Sequence, residues 1–383
     1  MSKSNQLAKL DQSGKPYIIY KSQTGFDLYT NFSKKIVLNN KNIQSFLKKK
    51  NKKKMKNTDL YIGFFGYELL NNLIDIKLPK QKDFNFPKGI FYKPEKKIKL
   101  NNNLNYFERD FGFGSFKINI NKKSYRKIFN KFKKKIKKGE TYQIKICTKY
   151  KTKSKIDPLD FFSRLSKTNL APEAFMIKDN NYSIVSCSPE NLITKKGSEI
   201  STKPIAGTVK KTKNLNKSKA LNYFRKNLKE TKEHNMIVDM ERNDLSRICK
   251  IGTVRLSKQK IVEEYKDLFH YVSLIKGKLR KNIDNVDIIK AMMPGGSVIG
   301  CPKINTLNLL NNQEKENRNI YTGSFGYIKF NGDMRFNIII RSILNYRNMS
   351  EISVASGVGV DSNANHEFNE NFLKAKALID LFK

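Results

Sequence analysis

Between residues 124 and 139, SYRKIFNKFKKKIKKG, apolar side chains recur at Tyr125, Ile128, Phe129, Phe132 and Ile136. That three-to-four spacing is one face of a helix. Ser124 stands where an N-cap belongs and Gly139 just past the end. The period then changes. TYQIKICTKY (141–150) alternates, with Tyr142, Ile144 and Ile146 on one face and Gln143, Lys145 and Cys147 on the other, the pattern of a strand. Gln143 therefore points away from the apolar face. YSIVSCSPENLITKK and SEISTKPIAGTVKK read as strands turning at Gly197, followed by a helix over roughly 218–247 and strands at 251–256 and 269–278. The Gly-rich turn MPGGSVIGCPK leads into a helix near 302–312. YTGSFGYIKF, FNIIIRSILNY and ISVASGVGV read as consecutive strands, and HEFNENFLKAKALIDLF as a closing helix. Before residue 115 the pattern is weaker, with strand-like pieces in PYIIY and LYIGFFGYELL (60–70). Runs of strands with intervening helices predict an α+β fold. The change of character near residue 115 leads us to expect an N-terminal region, 1–115, packed on a main body, 116–383.

Composition narrows the class. At 383 residues, 38% hydrophobic with 25 Phe and 17 Tyr, the chain supports a full core. No run approaches the roughly 18 apolar residues of a membrane span, and the N-terminus has no apolar signal region, which predicts a cytoplasmic protein. The four cysteines are too widely spaced for a zinc site or a disulfide framework. The net charge of +42 and the runs KKKNKKKMK (48–56) and KFKKKIKK (131–138) raise the possibility of a nucleic-acid partner. Lys is dispersed along the chain, however, and no nucleic-acid motif accompanies it; a general Lys, Asn and Ile bias accounts for the charge.

Against that background the acids stand out. Glu230 and Glu233 lie three apart in LKETKEHNMIVDMERNDLSR, and Glu367 and Glu370 repeat the spacing in the closing helix, with Lys374 one turn on. A single such pair is ordinarily a solvated helix surface. Two pairs in an acid-poor chain suit Mg2+, which takes one or two carboxylates directly and further acids through its waters. Glu190 follows a Ser-Pro turn, Gly207-Thr208 offers a backbone N–H and a hydroxyl to a carboxylate, and Arg341 is the only charge in FNIIIR.

GETYQIKICTKY, SPE, KPIAGT, EHNMIVDMERNDLSR, PGGSVIGCPKI, YTGSFGYIKFNGDMRFNIIIRS and EFNENFLKAKAL occur in the order found in the chorismate-utilising enzymes. The chain resembles component I of anthranilate synthase and of aminodeoxychorismate synthase over about residues 120 to 380. The resemblance implies a chorismate-binding fold of two packed β-sheets with outer helices and a central cleft. It also implies a Mg2+-dependent displacement on chorismate as the 4-hydroxyl leaves. By the same resemblance Glu190 matches the general acid, Glu233 and Glu370 the direct metal ligands, and Glu230 and Glu367 the acids behind them. Arg341 and Tyr321 match the residues that hold the enolpyruvyl carboxylate. Gly207, Thr208 and Lys374 match ring-binding positions, and His270 a histidine lying against the substrate.

Water-using relatives carry a Lys base where this chain has Gln143, so the resemblance implies ammonia as nucleophile. It also implies a separate glutamine amidotransferase subunit, since no cysteine sits in a nucleophile elbow. Two products remain. Ala206, in PIAGT, matches the usual anthranilate synthase form, where aminodeoxychorismate synthases often have a nucleophilic Lys. Ser297, in PGGS, and the GCPKI and RFNIIIR segments resemble aminodeoxychorismate synthases, and that product is the preferred expectation.

Overall fold

The computed structural model describes residues 3–22, 24–48, 56–76, 86–101, 112–212, 214–265 and 268–382. Most of the basic run at 48–56 lies outside these residues. Eighteen strands among the described residues form one antiparallel ladder. The strand Gln143–Lys153 carries the short strands Lys117–Ile118 and Gly300–Cys301 and pairs with Met349–Val358. The ladder continues through Ser342–Tyr346, Tyr182–Ser188, Glu173–Lys178, Tyr17–Ser22 and the long strand Gly25–Val37. It then runs through Gly89–Leu100, Leu60–Phe65, Ser324–Lys329, Met334–Asn337, Asn191–Lys196 and Glu199–Lys203. Leu268–Lys278 closes it, holding both Ile205–Lys210 and Arg255–Glu264.

This ladder folds back on itself into two packed layers. Strands far apart in the hydrogen-bonding order meet face to face: Phe175 stacks on Phe325 with ring centroids 3.7 Å apart, and Phe64 meets Tyr182 edge-on. The core between the layers comes largely from strand residues, including Ile18, Tyr20, Ile62, Ile177 and Ile184. Helices cover the outer faces. Lys3–Gln12, Pro158–Asn169 and Ala364–Ile379 bury Leu7, Phe161, Leu165 and Leu378 against one layer. Tyr67–Leu73, Leu228–Ser246 and Asn285–Met292 bury Leu69, Val238, Leu245 and Ile289 against the other. The result is a mixed α+β body, as the sequence pattern predicts.

Local departures have local causes. The amphipathic helix spans Lys122–Lys137 and buries Tyr125, Phe129, Phe132 and Ile136, each contributing about 1.5–3 kcal/mol. Its cap is Asn121, whose side chain accepts from the Ser124 N–H at 2.9 Å, so Ser124 sits inside the first turn. Gly139 follows its end at φ +75°. Tyr142 precedes its strand and is 62% exposed, leaving only Ile144 and Ile146 on the apolar face. The helix expected over 218–247 breaks at Asn227, which ends Lys217–Lys226 and caps Leu228–Ser246 through Glu230 N–H. Tyr67–Leu73 is a helix where the sequence suggested strand, and 251–254 is a turn that delays the expected strand to Arg255. The apolar run before Arg341 is irregular between strands, with Arg341 itself at φ +50°.

Candidate active site

Three elements bring the acids together: the Gln143–Lys153 strand and the helices Leu228–Ser246 and Ala364–Ile379. Strand alternation places Gln143 and Lys145 on one face, and both side chains end on the same atom. Glu233 Oε1 accepts from Gln143 Nε2 at 3.1 Å and from Lys145 Nζ at 2.9 Å. Lys145, with the two side-chain hydrogen bonds and Lys374 behind it, holds the Glu233 carboxyl down at about 2 although burial opposes this. Burial disfavours the Lys145 ammonium, yet Glu233, Glu370 and Glu367 together raise it above its ordinary range. Lys145 is therefore charged at neutral pH.

On the closing helix Lys374 Nζ lies 2.6 Å from Glu370 Oε1 and donates to the Ala355 carbonyl at 3.0 Å. Burial opposes ionisation of Glu370, but Lys374, with Lys145 further off, lowers it. His366, Glu367 and Glu370 offer ligand atoms within 4.8 Å of one another, with Glu367 buried and His366 exposed. Glu230 lies against the opposite wall: a Cβ on Gly207 would come within 3.0 Å of its Oε2. The donors are hard oxygens on two helices, Glu233 and Glu370 each already holding a lysine ammonium, and that chemistry suits a divalent cation such as Mg2+; the ligand atoms grouped closely enough to share one ion are those of His366, Glu367 and Glu370.

Glu190 sits at the break between strands Tyr182–Ser188 and Asn191–Lys196, 5% exposed. Burial pushes it up to about 7, against the Ser297 hydroxyl, which donates to Oε1 at 2.8 Å, and the charge of Lys145. Opposite, Thr208 and His270 are cross-strand partners, with Thr208 Oγ1 2.9 Å from His270 Nδ1. Burial, reinforced by Arg341, takes His270 down to about 4, so the imidazole is neutral at pH 7. Arg341 is half-buried, and among the described residues no carboxylate pairs with it. Tyr321 is buried, its ring 6.0 Å from the Arg318 guanidinium. Ala206 lies in Ile205–Lys210, where the register slips between Ile205 and Thr208.

Sequence reasoning had given Lys145 no role. The signal was its place on the Gln143 face, two residues on. It also passed over a buried network under DMERND, in which Lys303 Nζ meets Asp244 and Glu241 accepts from Thr202. Burial and Asp244 push Glu241 up to about 8. A depression of about 820 Å3 lined by Tyr20, Asp27, Tyr327 and Arg335 includes none of the glutamates named above.

Fold and site together give a double-layered α+β body in which two helices present paired carboxylates, with a buried acid and a guanidinium with which no carboxylate among the described residues pairs. The chain belongs to the chorismate binding enzymes, the model of that family matching residues 9–380. Aminodeoxychorismate synthase component 1 of Bacillus subtilis is 35% identical over 266 residues, 69% of this chain and 57% of that protein. An anthranilate synthase component I-like protein of Synechocystis is 31% identical over 350 residues, 83% of this chain and 72% of the other. Anthranilate synthase component 1 of Aquifex aeolicus is 34% identical over 279 residues, 72% of this chain and 56% of that protein. The chain spans little more than half the length of the Bacillus and Aquifex relatives. Solved structures share the fold. Anthranilate synthase component I of Streptococcus pneumoniae gives a TM-score of 0.77 at 24% identity, covering 95% of this chain and 92% of that one. The menaquinone-specific isochorismate synthase of Escherichia coli gives 0.76 at 15% identity, covering 96% and 89%. No helix among the described residues is long and apolar enough to cross a membrane.

Proposed function

We propose that this chorismate-utilising enzyme is an aminating one of the component I type. It converts chorismate and ammonia to 4-amino-4-deoxychorismate, the ammonia being delivered by a separate glutamine amidotransferase subunit. The observation that carries the reading is Gln143. Its amide is committed as a donor to Glu233 and cannot take a proton, and Lys145 beside it is already an ammonium. Neither is a base for water, whereas ammonia attacks without one.

The residues divide the work. Glu190 holds a proton near neutral pH and gives it to the departing 4-hydroxyl, while Ser297 fixes its other oxygen. Arg341 presents a planar fork to the enolpyruvyl carboxylate, and the family resemblance assigns Tyr321 to the same group. The Gly207 N–H and the Thr208 hydroxyl face the ring region with neutral His270. Glu233 and Glu370 would hold Mg2+, with Glu230 and Glu367 behind them; when bound, the ion neutralises the ring carboxylate and fixes its orientation. Ammonia adds at C2 as the 4-hydroxyl leaves with the Glu190 proton, and a second ammonia at C4 then displaces the 2-amino group.

One observation favours a second product, anthranilate with loss of pyruvate. Ala206 supplies no amine at a position where a covalent route to the 4-amino product would want one. The discriminating experiment incubates the protein with chorismate, ammonium and Mg2+ without any lyase. Stoichiometric pyruvate with a fluorescent product identifies anthranilate. 4-Aminobenzoate appearing only after addition of aminodeoxychorismate lyase supports the first reading.

A further inference from the structure

Lys145 is the charge around which the site is arranged. Its backbone is fixed on both sides, the N–H donating to the Ile299 carbonyl at 2.9 Å and the carbonyl accepting from Arg318 Nη2 at 3.1 Å. Its tip is confined as well. A Cβ on Gly357 would come within 3.0 Å of both Lys145 Nζ and Gln143 Nε2, so the neighbouring strand packs closely against that amine and a side chain at 357 would push it aside. The ammonium is 2.9 Å from Glu233 Oε1, and its side chain is only 14% exposed. It also feels the charges of Glu370 and Glu367 on one helix and of Glu190 on the opposite turn. Lys374 pairs with Glu370 in a similar way, but its side chain is 45% exposed and the pair is screened by water.

Clustered half-buried carboxylates repel one another unless a cation lies among them. We infer that Lys145 is that resident cation: its ammonium neutralises the acid cluster in the metal-free protein and competes with the divalent ion for Glu233. The inference rests on reading Glu233 and Glu370 as metal-holding acids. A lysine suits the task, being a compact charge on a flexible four-carbon stem that can leave Glu233 without disturbing the strand. Gln143 and Lys145 both occupy Glu233 Oε1, so a metal ion at Glu233 must either displace the ammonium or take the second oxygen with its double positive charge close to that ammonium. The site thus stays organised when empty and pays for it in weak metal affinity.

The test is calorimetric titration of MgCl2 into the folded protein without substrate, paired with thermal unfolding in the presence and absence of Mg2+. Lys145→Met removes the charge at nearly constant volume and Lys145→Arg retains it. The expected result is Mg2+ binding about tenfold or more tighter in Lys145→Met than in the wild type, with a lower Tm in EDTA and a larger rise on adding Mg2+. Lys145→Arg should bind Mg2+ no more tightly than the wild type. Should Lys145→Met not fold, Lys145→Gln carries the same measurement. Equal or weaker Mg2+ binding in a folded, uncharged variant overturns the inference while leaving the metal reading intact. Heats that do not change when Glu233 and Glu370 are both replaced by Gln overturn the metal reading and the inference with it.

Discussion

The Ser297 hydroxyl reaches Glu190 Oε1 at 2.8 Å from a residue 107 positions away, and the carboxyl it touches is raised to about 7 by burial. A proton donor of that strength is spent once the pH exceeds its own value. Turnover should therefore fall as pH rises through about 7. Because the Ser297 hydrogen bond favours the ionised form, Ser297→Ala should move this alkaline limb upward. A kcat/KM profile against pH at constant free ammonia, which reports groups of the free enzyme, checks both, and a limb that stays put or moves down rejects the assignment.

Glu190→Gln should lower kcat by roughly 10²- to 10⁴-fold, the usual contribution of a general acid, with chorismate binding nearly unchanged. Single-turnover kinetics with a separate binding measurement distinguish the two. A variant impaired only in binding makes Glu190 structural.

Glu233→Gln and Glu370→Gln should each abolish turnover while leaving the fold intact by circular dichroism. Glu230→Gln and Glu367→Gln should cost about 10- to 100-fold, as expected of acids acting through the direct ligands. Wild-type activity in both direct-ligand variants would show that the paired acids are surface charge.

His270 should remain neutral down to about pH 4, since burial lowers it from an ordinary value of 6.5. Its imidazole proton shifts, followed by NMR, should be flat from pH 8 to well below 6. Between those two values the unfolded chain takes up a proton that the folded one refuses, so stability contributed by His270 is present above 6.5 and lost as pH falls towards 4. Glu190 acts in the opposite direction, its contribution being lost as pH rises from 4.5 to about 7. A midpoint near 6.5 in the NMR titration would place His270 in water.

Gly207→Ala should lower both stability and activity. The backbone there has φ +88°, and a Cβ would lie 2.7 Å from Phe224 Cε1 and 3.0 Å from Glu230 Oε2. Strain of that kind costs on the order of 1–3 kcal/mol. Thermal unfolding that matches the wild type would mean that the loop reshapes freely around the methyl group.

What could be read from the sequence follows from periodicity. The Tyr125–Ile136 stripe, the alternation that puts Gln143 beside Lys145, and the Glu pairs at helical spacing are local patterns, and the structure carries each. Other features depend on partners distant in the chain. The FNIIIR run reads as strand to its end, yet the chain leaves the ladder after Asn337 and turns Arg341 into a left-handed conformation. LYIGFFGYELL reads as one strand-like run, but at its middle Gly66 N–H bonds to the Lys88 carbonyl and Tyr67 N–H to that of Asn319, and a helix begins there. Lys145 looked like one more lysine among many, because only tertiary packing sets it against Glu233.

The order of the ladder bears on how the chain is made. Leu60–Phe65 finds one of its two partners in Ser324–Lys329, and Tyr17–Ser22 one of its own in Glu173–Lys178. At about 5–20 residues per second, the first of these strands waits on the order of tens of seconds for its mate to leave the ribosome. During that interval it offers an open, aromatic edge to any passing chain. Glu367 and Glu370 emerge later still, so the acid cluster is assembled only after the scaffold is nearly complete. The half-finished sheet is therefore the stage of synthesis at which this chain is most exposed to aggregation.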